Sequence, residues 1–72
     1  MFIQVRDTND NLKLLNVHHI ISVEPFKVKT YKIGEEDAEA TKITSIGAMV
    51  SSTIVYDSIE QIGKLIENAK KI

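Results

Sequence analysis

The chain contains no cysteine and no tryptophan, a single proline and only three glycines. Without cysteine there is no disulfide framework, no thiolate metal site and no cysteine nucleophile. The glycines, Gly34, Gly47 and Gly63, stand alone, so no glycine-rich loop exists to cradle a phosphate. No apolar run exceeds three or four residues, far short of the roughly 20 that a membrane-spanning helix needs. Met1 to Val5 is neither basic nor followed by a long apolar stretch, so a secretory leader is not expected. Neither charge sign is in excess: nine Lys and Arg against ten Asp and Glu give a formal charge of −1. A dedicated nucleic-acid binder would be strongly basic overall, which leaves only a local basic patch.

What is present describes a small globular domain. The hydrophobic fraction is 43% and the charged fraction 26%, ordinary values for a folded chain. At 72 residues there is room for one domain spanning 1–72. A chain of this size buries only about 60% of the surface its unfolded form exposes. The expected setting is the cytoplasm.

Isoleucine and valine dominate the first fifty-six residues, and β-branched side chains suit the pleated surface of a sheet. Met1, Ile3 and Val5 alternate with Phe2, Gln4 and Arg6, the period-two pattern of a strand. Asp7-Thr8-Asn9-Asp10-Asn11 gathers turn formers, and Leu12 to Leu15 resumes the strand, predicting a hairpin. Asn16 to His19 reads as a tight break before a strand from Ile20 to Glu24. Pro25 cannot donate a ladder hydrogen bond, so it ends that strand or lies on an edge. Phe26 to Ile33 alternates again, and the acidic stretch 34–40 reads as an exposed loop tip. Thr41 to Met49 returns as a strand with Gly47 as a candidate bulge. Val50-Ser51-Ser52 reads as a turn, and Thr53 to Tyr56 as the last strand.

The C-terminal segment carries the strongest helical pattern. Ser58-Ile59-Glu60-Gln61 fits a capping box. Ile59, Ile62, Leu65, Ile66, Ala69 and Ile72 recur at spacings of three and four, forming one apolar stripe. Asp57 and Glu60 near the start, with Lys70 and Lys71 near the end, complement the helix dipole. A helix of about 14 residues is marginal alone and must dock on the sheet. The expected class is therefore α+β: an antiparallel meander of about five or six strands with one amphipathic helix packed on one face.

Chemistry is sparse. His18 and His19 are the only histidines. On a strand they would point to opposite faces, and no cysteine could complete a zinc set, so they read as exposed structural residues of a turn; the alternative is partner contact or an interfacial metal. Glu35, Glu36, Asp37 and Glu39 do not follow the alternate spacing of a calcium loop and read as a solvated face. No serine occupies a nucleophile elbow. No enzyme activity, cofactor or metal is expected. Lys27 and Lys29 share a strand face; with Lys32 and Arg6 they form the candidate phosphate contacts of a nucleic-acid-associated regulator. Alternatively, these lysines pair with the acidic stretch.

Two segments carry a family resemblance. Leu14-Leu15-Asn16-Val17-His18-His19-Ile20-Ile21-Ser22-Val23-Glu24 resembles the core of the small FlbD-like proteins. Thr53-Ile54-Val55-Tyr56-Asp57-Ser58-Ile59-Glu60-Gln61-Ile62 resembles the passage of their final strand into a terminal helix. The matched motifs cover about a third of the chain and are structural, with no catalytic residue among them. The resemblance implies a short protein of bacterial or phage type. The first segment is also similar to the opening of LytTR DNA-binding domains.

A single layer backed by one helix leaves its other face uncovered. Phe2, Ile20, Phe26 and Val28 are expected on that face, and exposed apolar area of this kind marks an interaction surface. The expected function is a small binding or assembly module. It would self-associate as a dimer or larger assembly, or contact another protein.

Overall fold

The computed structural model describes residues 1–29 and 37–70. Five strands and one helix follow in chain order: β1 (Phe2–Arg6), β2 (Leu12–Asn16), β3 (Ile20–Val28), β4 (Ala38–Ile46), β5 (Val50–Val55) and α1 (Ile59–Lys70). All pairings are antiparallel, and the class is the expected α+β.

The strands do not form one layer. They divide into a two-stranded sheet, β1-β2, and a three-stranded sheet, β3-β4-β5. A bridge between Asp7 and Val55, with Thr8 N–H donating to the Ile54 carbonyl at 3.0 Å, links the sheets at the end of β1. This link is long-range and leaves no trace in local alternation.

The β1-β2 turn is built from the expected polar cluster. The Asp7 side chain accepts from the amides of Asn9 and Asn11, both at 2.9 Å, and Asp10 takes a left-handed φ of 65°. Aspartate tolerates that conformation better than most residues. Asn16 accounts for the break after β2: its Oδ1 accepts from the His18 amide at 3.0 Å, capping a 3₁₀ turn over Val17–His19.

Three expected boundaries are corrected. β3 does not end at Glu24 but continues through Pro25 to Val28. Among the described residues it pairs with β4 alone, so Pro25 takes the edge position, its other expected place, where a missing donor is tolerated. Residues 38–40 of the acidic stretch belong to β4, where Ala38, Glu39 and Ala40 pair with Val28, Lys27 and Phe26; Gly34, Glu35 and Glu36 lie outside the described residues. The last turn falls at 47–49, not 50–52, and Gly47 belongs to that turn rather than to a bulge. Ser51 and Ser52 pair instead with Ser45 and Thr44, so cross-strand pairing overrides their turn preference.

The core sits between the two sheets and the helix. Ile43, Val55 and Ile62 have no exposed surface, and Ile3, Val5 and Val17 join them. Full burial of one such side chain contributes about 1.5–3 kcal/mol. α1 packs on β1 and β3, presenting Ile62 with half-buried Leu65, Ile66 and Ala69. Its start is the anticipated capping box: Ser58 Oγ accepts from the Gln61 amide at 3.2 Å, and Gln61 Oε1 accepts from the Ser58 amide at 2.8 Å. Ile72 lies outside the described residues. Among the described residues no helix is long and apolar enough to cross a membrane.

Candidate interaction surfaces

Residues paired across an antiparallel ladder share a face. On β1-β2, Ile3 faces Leu15 inward, while Phe2 opposite Asn16, Gln4 opposite Leu14 and Arg6 opposite Leu12 form the outer face. That face is unusually apolar for solvent: Phe2 is 61% exposed and Leu14 67%. The turn joining β4 to β5 adds Met49, 77% exposed, with Ile46 and Val50 paired beside it.

Phe2, Leu14, Ile46 and Met49 border one groove of about 490 Å³, whose remaining wall includes Asn16, His19, Ser45 and Ser51. Among the described residues no Asp, Glu, Lys or Arg lines it. A surface of apolar side chains with hydroxyl and amide groups between them can be desolvated without stranding a charge.

A second groove of about 510 Å³ shares no residue with the first. It lies where β3, β4 and the start of α1 meet, and Pro25, Phe26, Tyr56 and Ile59 supply its apolar lining. Lys27, Glu39, Asp57 and Glu60 also line it.

The residues expected to contact a partner are therefore split. Phe2 and His19 line the first groove and Phe26 lines the second. Val28 is half-buried on the same face of β3 as Phe26, and His18 is exposed on the 3₁₀ turn. Ile20 departs from expectation, because it packs against the core. A register shift between Ile20 and Ser22 breaks the alternation, turning Ile20 inward and leaving Ile21 exposed.

Two of the candidate phosphate contacts, Arg6 and Lys27, have acidic neighbours. Arg6 Nη1 lies 3.5 Å from the Asp10 carboxylate and donates to the Asp10 carbonyl at 3.1 Å, in the β1-β2 turn. Lys27 sits opposite Glu39 in the β3-β4 register, and Lys29 follows the end of β3. Lys32 lies outside the described residues. Among the described residues, no three His, Asp or Glu side chains gather as metal ligands would.

Sequence reasoning did not single out Leu14, Ile46, Met49 and Val50. Alternation can place Leu14 opposite Leu15 in facing, but Met49 reaches the groove only through the turn at 47–49, which local residue preference does not mark. Comparison with models of known protein families, with curated proteins and with solved structures found no match to this chain.

Proposed function

We propose that the chain is a small non-catalytic assembly module, of bacterial or phage type as its resemblance to the FlbD-like proteins implies, which pairs with a second copy through the Phe2–Met49 groove. The observation carrying this reading is the cluster of Phe2, Leu14, Ile46, Met49 and Val50 on one exposed surface. A patch of that kind on so small a domain is a candidate interface. That the described lining holds no Asp, Glu, Lys or Arg supports self-pairing, since a two-fold contact presses the same patch of both copies together and like charges near its axis would repel. The nucleic-acid reading gains no support from Lys27, which faces Glu39 across the ladder.

Sedimentation velocity from low to high micromolar concentration tests it. The native chain should rise from its 8.1 kDa monomer mass towards twice that value. Met49→Lys, at an exposed turn, should keep the fold and weaken association at least about tenfold, equivalent to about 1.4 kcal/mol. A native chain that stays monomeric at several hundred micromolar overturns the reading.

A further inference from the structure

The second groove has a different chemistry from the first, and it suits a different occupant. Two of the chain's four aromatic residues, Phe26 and Tyr56, meet in it beside Pro25 and Ile59. Among the described residues the lining also includes three acidic residues, Glu39, Asp57 and Glu60, against one lysine, Lys27. The whole chain is nearly neutral, so this local excess of negative charge is a property of the groove.

The groove is also held in shape from beneath. The buried Thr41 hydroxyl donates to the Asp57 carbonyl at 2.6 Å, tying β4 to the segment that carries Tyr56 and Asp57. The helix start is fixed by its capping box, in which Ser58 and Gln61 satisfy each other's amides. A site formed in advance loses less entropy on binding.

We propose that this groove docks an extended basic segment of a partner protein, one that sets an arginine or lysine next to a large apolar side chain. The apolar side chain would rest among Pro25, Phe26 and Ile59. The cation would lie between Tyr56 and the carboxylates of Asp57 and Glu60, where ring face and negative charge both attract it. A second copy is the poorer occupant here, because a two-fold contact through this groove would bring like carboxylates together. The proposal does not depend on the self-association described above.

The test is an amide-resolved NMR titration of the intact chain with a synthetic peptide of alternating leucine and arginine. A peptide with glutamate in place of arginine serves as the comparison. The arginine peptide should shift the amides of Phe26, Tyr56 and Ile59 in a saturable way, and the glutamate peptide should leave them in place. Asp57→Asn combined with Glu60→Gln should weaken the arginine peptide about fivefold, the scale of two partly exposed charge pairs. Ile59→Lys, at a position 42% exposed, should abolish binding without removing core. Repeating the titration on Met49→Lys separates the outcome from self-association. Unmoved amides at millimolar arginine peptide would overturn the proposal. So would shifts centred on Phe2 and Met49, or equal binding by the carboxamide variant.

Discussion

Thr41 and Asp57 lie far apart in sequence, yet the threonine hydroxyl donates to the aspartate's backbone carbonyl at 2.6 Å. Thr41 is only 1% exposed, and the bond fixes β4 against the passage from β5 into α1. Thr41→Val keeps the shape, removes the donor and leaves the carbonyl without its partner. It should cost about 1–2 kcal/mol. In a domain this small each kcal/mol lowers Tm by about 4–8 °C. Thr41→Ser should retain most of the stability. Denaturant unfolding distinguishes them, with a fall in midpoint at unchanged slope expected for the valine variant alone.

Gly63 weakens α1 without serving a visible purpose. A Cβ built there meets no atom within 4 Å, and the residue is exposed. Gly63→Ala should therefore stabilise the chain by about 0.5–1 kcal/mol. Thermal unfolding followed by circular dichroism should show a Tm several degrees higher; a lower Tm would mean the helix needs glycine for another reason.

Acid should loosen the β1-β2 turn through Asp7. The Asn11 amide holds its carboxyl below the ordinary value of 3.8, with the Asn9 amide and Lys13 acting in the same direction and desolvation opposing them. The Lys13 ammonium lies 3.6 Å away. A carboxyl depressed on folding contributes stability that is complete above the unfolded value and lost as pH falls through the folded one. Asp7→Asn should be less stable than the native chain at neutral pH. The gap should narrow as pH drops below 3.8. Paired denaturation curves at pH 7 and pH 3 would reveal it, and a gap independent of pH would refute the assignment.

Features encoded by near neighbours were legible from the residues alone. The helix could be read because its cap, Ser58 with Gln61, and its apolar stripe each lie within one or two turns. The first hairpin could be read because Asp7 to Asn11 build their turn from their own side chains. Features set by long-range pairing were not. Ser51 and Ser52 look like a turn until Ser45 and Thr44 are set opposite them. The joining of the two sheets depends on Asp7 meeting Val55, and the inward swing of Ile20 on a register shift. The same limit governs the surfaces: Phe2 was legible as outward-facing, but its neighbourhood with Met49 depends on where the β4-β5 turn falls.

The proline in β3 bears on how any assembly ends. A foreign strand laid along that rim, seeking a continuous row of protons, would find a gap at Pro25. Zipper-like addition of chain upon chain is thereby discouraged on this side. The self-pairing proposed above, which works by side-chain packing, would need no such row and could stop at a closed number of copies.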